Sequence, residues 1–484
     1  MKPIPEIWET HPYRDFTGGE NLKLWGSAPN QAITLQNCVL SNNGIPETRL
    51  GKVAINATLG AGGITAGWRF AKENGTKYIV VQHGTKIYAT TWDGVTLPVV
   101  FGASIKTVNA AKLRGRVWKD RLFLSNGVDN FFYFDGTTCT DLSGSPPKTA
   151  IFTVYSGRLW AVDIAKPNSI RWCGLEDYNT WDVLDVTNVR DGDGDRLTAL
   201  APVPGGMILF KQNMAYPLYG NSRTDLQIGE PISRYAGCVS TDSLIDAGLV
   251  LGKDNLYKFD LSSVTPWSDT HTPLFNSMTI AQKQTAHSGV HPITKRVVVF
   301  LNDNAQQTLC IHGEYGGAIT SWANINAGCF FTLNAKDDSE SLLMGDKTNG
   351  IVYLYQGDKD GSSDIQTRIK TIYNDQGKTR EKHWRNFIPE IDLLEDSTDY
   401  RTYLGYDIDY RTYGGMLSAS WSPNFLNWGI DKWRTATWGI GARSNEPQWL
   451  DGARGRRISF EFIASHRVRF YGYTTKFREV GPQL

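Results

Sequence analysis

The chain has 484 residues, with 50 Lys and Arg against 49 Asp and Glu and a formal net charge of +1. That balance excludes a large basic field for gripping nucleic acid, while the length leaves room for two or three domains. The 48 glycines and 12% aromatic residues favour short strands joined by many turns.

Residues 1–16 mix charge and proline and contain no apolar segment, so they do not read as a signal peptide. No run approaches the roughly 18 apolar residues needed to span a membrane. Cys38, Cys139, Cys173, Cys238, Cys310 and Cys329 lack CxxC spacing and read as small buried apolar residues, not as metal ligands or disulfides.

Residues 1–30, with Pro3, Pro5, Pro12 and Pro29, read as an extended arm that lies on the body or reaches a neighbour. Residues 32–53 give a strand pair turning at Asn42-Asn43-Gly44. A two-strand unit then recurs. Residues 78–81 pair with 87–90 across Gly84, 122–124 with 131–134 across Asn126-Gly127, and 159–162 with 170–172 across Lys166-Pro167-Asn168. Residues 207–210 pair with 215–218, 249–251 with 256–259, 297–301 with 308–311, and 342–344 with 351–355.

These seven first strands begin about 37 to 48 residues apart, the length of a four-stranded propeller blade. Segments such as 151–155 can supply the remaining strands, and no stretch sustains a helical period over three turns. The expectation is all-β: a six- to seven-bladed β-propeller over residues 31–361, because a circle of small sheets leaves only short edges. A row of β-sandwiches is the rival, but it predicts no single period.

The regularity stops near Gly361, and residues 362–484 read as a C-terminal, β-sandwich-like domain. Its strand candidates are 367–373, 387–394, 416–421, 457–464 and 468–473. Residues 421–455 form a Gly- and Trp-rich insert with Trp421, Trp428, Trp433, Trp438 and Trp449. Indoles in a long connection either pack on their own domain or anchor a subunit or partner interface.

Few residues suggest chemistry. Asp191, Asp193 and Asp195 alternate with glycines and are a weak candidate for calcium, although the distal glutamate of a calcium loop is missing and a plain turn is simpler. His287 and His291 have HxxxH spacing, but Ser-Gly-Val between them and Pro292 after them indicate a loop. Glu381 and His383 lie in the basic run 378–385, read as a solvated edge. Arg454, Arg456 and Arg457, with Arg467, Arg469, Lys476 and Arg478, form either ordinary ion pairs with Glu395, Asp396, Asp399, Asp407 and Asp409 or a weak phosphate-facing rim. No GxSxG, Walker loop, HExxH or helix-opening GxGxxG is present. The expectation is therefore no catalysis and no cofactor. Paired carboxylates around a propeller axis, as in a carbohydrate-active enzyme, or an adhesin, stay open as alternatives.

One series of motifs resembles a known family. It runs from Gly194-Asp195 into residues 197–200, then Leu209-Phe210-Lys211, Tyr216 and Leu218-Tyr219-Gly220. It continues through Gly237-Cys238-Val239-Ser240, Leu251-Gly252-Lys253-Asp254, residues 256–259 and Val264-Thr265-Pro266. Asn37-Cys38 followed by Arg49-Leu50-Gly51, residues 370–373 and residues 452–457 extend it, although Leu50 stands where a proline is usual. The series resembles the tail-nozzle propellers of short-tailed bacteriophages, that is, tail tubular B proteins and packaged-DNA stabilisation proteins. The Trp-rich insert has no match in it.

The resemblance implies a virion tail component made in the host cytoplasm. It implies a ring of six below a head–tail adaptor, meeting a needle, spike or fibres, with double-stranded DNA leaving along the shared axis. A single propeller's channel is narrow, so a duplex would pass between subunits, held weakly. Residues 1–30 and the Trp insert would supply ring contacts, and Arg454, Arg456 and Arg457 a DNA-facing rim.

Overall fold

The computed structural model describes residues 8–23, 27–92, 98–245, 248–267, 269–291, 294, 296–301, 307–334, 340–394, 400–409, 411–421, 443–444, 448–450 and 453–480. The chain divides into two units, residues 53–308 with 324–355, and residues 1–52 with 309–323 and 356–484.

The first unit is a propeller. Its first sheet is built from Ile64–Ala71, Lys77–His83, Lys86–Thr91 and Lys106–Thr107. The second holds Arg114–Trp118, Arg121–Ser125, Phe132–Phe134 and Cys139–Asp141, and the third Phe152–Tyr155, Arg158–Val162, Ser169–Trp172 and Val186–Asn188. The fourth comprises Leu197–Val203, Gly206–Lys211, Ala215–Tyr219 and Gln227–Ile228, and the fifth Leu249–Leu251, Leu256–Phe259 and Val264–Pro266. The sixth contributes His287–Val290 and Val297–Leu301, and the seventh Ala327–Asn334, Glu340–Asp346 and Val352–Tyr355.

Alternation of side chains along each second strand explains why sheets stack into a circle. Leu122 and Leu124 pack with Phe70 and Val80 of the first sheet, while Phe123 between them packs with Leu159 and Ala161 of the third. In the same way Met207 and Leu209 face Trp160 and Trp172, while Ile208 and Phe210 face Val250 and Phe259. Both faces are covered, so these strands read as unbroken apolar runs. Each such side chain contributes roughly 1.5–3 kcal/mol on burial. The circle closes where Ile64, Ile79 and Val81 of the first sheet meet Leu343 and Val352 of the seventh. Ile55 N–H donates to the Val352 carbonyl at 2.9 Å, so the start of this unit runs beside its last strand.

The second unit is a pair of sheets around one core. One sheet orders Cys38–Leu40, Pro46–Thr48, Val468–Glu479 and Lys382–Leu393, and Glu9–Tyr13 also pairs with Val468–Glu479. The other orders Ala318–Trp322, Ala32–Gln36, Thr367–Thr371, Ile458–Ala464, Tyr400–Ile408 and Arg411–Trp421. Phe16, Leu35, Trp384, Phe387, Phe460, Phe470 and Tyr473 fill the space between them.

One expected boundary therefore moves, the start of the propeller. Within the expected arm 1–30, which could lie on the body or reach a neighbour, Glu9–Tyr13 is a strand of this unit's sheet, and Tyr13 and Phe16 are buried in its core. Residues 31–52 belong with the C-terminal strands and not with the propeller, because Ala32–Gln36 pairs with Thr367–Thr371. Sequence proximity hid this, since the partner strands lie more than 300 residues away.

Asn37 is the corner at which the chain leaves one sheet for the other. It adopts a left-handed backbone (φ 56°), which asparagine tolerates better than most residues. Its side-chain oxygen accepts from Arg49 Nε at 3.0 Å and from Ala323 N–H at 2.9 Å. Arg49 is fully buried and forks onto Asp360 through Nη1–Oδ1 at 2.9 Å and Nη2–Oδ2 at 2.6 Å. Gly51 completes the motif, because a Cβ there would lie 2.0 Å from the Lys359 carbonyl oxygen.

Candidate functional site

The first strands of six of the propeller sheets, with Thr241, Asp242, Leu244 and Ile245 ahead of the fifth, line a cavity of about 610 Å³ at the centre of that unit. The close approach of the sheets is set by small residues on those strands. A Cβ on Gly67 would lie 2.4 Å from the Phe331 ring, and one on Gly115 would lie 2.5 Å from Trp68 Nε1. Gly115 thus faces the first sheet, and the alternation of the strand turns Arg114 and Arg116 to the other side.

Arg114 crosses the cavity from the second sheet. Its Nε and Nη2 donate to Asp242 Oδ1 and Oδ2 at 2.9 and 3.0 Å, and its Nη1 donates to the Ala150 carbonyl at 3.0 Å. Asp242 lies on the short turn Thr241–Ser243 that precedes the fifth sheet. Lys112 Nζ approaches the same carboxylate at 3.3 Å, and Ser288 Oγ of the sixth sheet donates to the Asp242 carbonyl at 3.3 Å. Four sheets are thereby tied together. Burial opposes ionisation of Asp242, but Lys112 and Arg114 outweigh it and hold the carboxyl well below its usual range.

His287 lines the cavity beside this group and is only 5% exposed. Its ring lies between Phe300 and Phe330, with centroids 5.0 and 5.4 Å away. Burial, with Lys112 adding to it, lowers its pKa to about 3, so the imidazole is neutral. Nδ1 sits 3.4 Å from the Thr285 carbonyl, which can only accept, so the proton is assigned to Nδ1 and Nε2 keeps its lone pair. Nε2 has no hydrogen-bond partner among the described residues. Burial pushes the Cys329 thiol up to about 11, so it is no ready nucleophile.

The residues expected from sequence to carry chemistry lie elsewhere. Asp193 faces the buried Lys211, whose Nζ donates to Oδ1 and Oδ2 at 2.9 and 2.7 Å. Asp195 accepts from Gln212 N–H and from Asn213 N–H and Nδ2. Asp191 is exposed. Two of the three carboxylates thus serve a lysine and a turn, and no group of three or more potential ligands gathers for a metal among the described residues. His287 and His291 do not form a loop pair, because His287–Val290 is a strand of the sixth sheet.

The basic run 378–385 is not a solvated edge throughout. Lys382–Leu393 is a strand, Lys382 and Trp384 are fully buried, and Lys382 Nζ donates to the carbonyls of Lys378, Arg380 and Arg456. Arg454 and Arg456 are exposed, and the Arg456 and Arg457 N–H groups donate to the Asp409 carboxylate at 2.9–3.1 Å. Arg467 and Arg469 pair with Glu47 at 3.2 and 2.9 Å, so part of the positive cluster is ordinary ion pairing.

Of the insert tryptophans, Trp428, Trp433 and Trp438 lie outside the described residues. The backbone of Trp421 ends a strand opposite Tyr400, and that of Trp449 pairs with Asn386. Parts of 421–455 therefore extend the sheet of the second unit.

Sequence reasoning missed Lys112, Arg114, Arg116 and Asp242. The signal was the short basic stretch Lys112-Leu113-Arg114-Gly115-Arg116 ahead of the second hairpin, an innermost strand whose central glycine permits tight packing.

No protein-family profile matches this sequence, and no curated protein does. Among solved structures, the chain is similar to the extracellular domain of a hybrid two-component system, BT4673, from B. thetaiotaomicron, with 8% identity and a TM-score of 0.43. That likeness covers 75% of this chain and 43% of the other, so the chain spans less than half of that relative. It is also similar to the WD40 domain of Neurospora crassa Pan2, with 12% identity, a TM-score of 0.39 and 64% and 95% of the two chains covered. A third likeness is to the computationally designed protein Ika8, with 10% identity, a TM-score of 0.37 and coverage of 63% and 99%.

Proposed function

We propose that this chain is a structural subunit of a phage tail nozzle, one copy in a closed ring beneath a head–tail adaptor, through whose shared axis genome DNA leaves. The observation that carries the reading is the ordered series of motifs from Asn37 to Pro266 described above. Its residues fall on framework positions. Asn37, Arg49 and Gly51 form the corner of the second unit, while Asp195 and Lys211 lock the turns of the fourth propeller sheet. A resemblance carried by framework residues bears on architecture and assembly, which suits a virion part better than an enzyme.

The axial cavity supports the same reading by what it denies. Arg114 and Asp242 meet across it, so a duplex has no path through one propeller and must run between copies. A ring of that kind uses heterologous contacts. The connection after the third strand of the third sheet offers one apolar seat, since Leu175, Val183 and Leu184 are 61%, 77% and 62% exposed. Arg454 and Arg456 are the exposed cations suited to weak contact with phosphate.

Native mass spectrometry and electron microscopy of the purified chain, alone and with the adaptor from the same particle, test the proposal. A closed ring of about six copies is the expected result. A chain that stays monomeric with the adaptor present would overturn it.

A further inference from the structure

We propose that the axial cavity of the propeller binds a small multivalent oxyanion that also carries a hydroxyl group. The inference does not depend on the ring. Among the described residues four cations line the cavity, Arg69, Lys112, Arg114 and Arg116, against the single carboxylate of Asp242. Asp242 is already engaged by Lys112 and Arg114. Arg116 is exposed, and among the described residues its hydrogen bond is to the adjacent Gly115 carbonyl at 3.1 Å. The excess positive charge sits among Trp68, Phe330 and Phe331, where low-polarity walls strengthen attraction to an anion.

His287 supplies the second, independent observation. A buried polar atom normally has a partner, yet Nε2 has none among the described residues. Its lone pair requires a donor, and an ionised carboxylate or phosphate provides none. A ligand hydroxyl would. The site thus takes anionic oxygens on the arginine side and an O–H on the histidine side. A volume of about 610 Å³ fits a small metabolite-sized molecule.

Isothermal titration calorimetry of the full chain at low ionic strength is the test, with citrate and glycerol 3-phosphate as hydroxylated carboxylate and phosphate probes. Tricarballylate, which is citrate without its hydroxyl, is the third arm. The expected result is saturable binding of one citrate or one glycerol 3-phosphate per chain, and which of them binds assigns the carboxylate or phosphate source. Arg116→Gln should weaken that binding about tenfold or more without moving the melting temperature. Arg380→Gln, at an exposed cation of the second unit, should leave it unchanged. Tricarballylate should bind more weakly than citrate, and His287→Phe should narrow that gap.

The proposal is overturned if neither hydroxylated probe binds saturably up to about 10 mM, a limit near the weakest measurable site. It is overturned equally if Arg116→Gln has no effect, if Arg380→Gln weakens binding as much, or if tricarballylate matches a citrate that does bind.

Discussion

Replacing Arg49 with methionine should unfold the second unit selectively. Arg49 is fully buried and donates to Asp360 twice, to Asn37 Oδ1, and to the carbonyls of Leu50 and Ala323 at 2.9 and 3.1 Å. Methionine fills most of the volume but provides no donor, so a carboxylate only 9% exposed is left without its counter-charge. Removing one partner of a buried pair costs about 3–5 kcal/mol. For a unit of roughly 200 residues, each kcal/mol lowers the melting temperature by about 2–4 °C, so a fall of about 6–20 °C is expected.

Differential scanning calorimetry reads the fall, and hydrogen-exchange mass spectrometry assigns it to the second unit. Exchange should accelerate in Ala32–Gln36 and Thr367–Thr371, which flank the corner, and stay slow in Met207–Phe210 of the propeller. The double variant Arg49→Met with Asp360→Leu should recover part of the loss, because no charge is then stranded. A single variant that melts within about 2 °C of wild type would show that this buried pair does not hold the corner, and the reasoning would fail.

Gly115→Val should destabilise the propeller by about 1–3 kcal/mol in urea titration, since its Cβ would meet Trp68 Nε1 at 2.5 Å; an unchanged midpoint would remove the close-packing argument. His287 has a folded pKa depressed to about 3 from 6.5, so its contribution is complete above pH 6.5 and is lost as pH falls towards 3. Lys112 and Lys347 reinforce that depression and Asp242 opposes it. Chemical denaturation of wild type should therefore show declining stability between those values, and His287→Gln should decline less; parallel curves would contradict the assignment. Adding calcium or a chelator should not move the melting temperature, because Asp193 already holds Lys211. A rise with calcium would favour the metal reading of Asp191, Asp193 and Asp195 over the turn. Val183→Asp with Leu184→Asp should lower the proportion of rings in native mass spectra while leaving calorimetry unchanged, and intact rings would place the subunit contact elsewhere.

The propeller was readable because its signal is local. Each hairpin carries its own turn residues, and runs such as Met207–Phe210 are apolar throughout because neighbouring sheets cover both faces. The second unit was harder, since its decisive pairings are remote. Nothing near Ala32–Gln36 announces Thr367–Thr371, and nothing near Glu9–Tyr13 announces Val468–Glu479. The proline-rich start reads as an arm until Tyr13 and Phe16 are seen in the core. Lys382 failed for a different reason: a lysine in a basic run is expected in water, and only folding brings three carbonyls to it. The cavity group was illegible for a related one. Arg114 and Asp242 are 128 positions apart, and each alone is an unremarkable surface charge.

The order in which the chain leaves the ribosome gives the closure at Ile55 and Val352 a temporal meaning. Ala32–Gln36 emerges early, yet its partner Thr367–Thr371 follows more than 300 residues later, some fifteen seconds or more of synthesis at ordinary speeds. Throughout that interval Ala32–Gln36 lacks the strand with which it pairs in the folded chain. Silent codon changes that slow elongation between 56 and 352 lengthen that wait and should reduce the soluble yield without altering one amino acid.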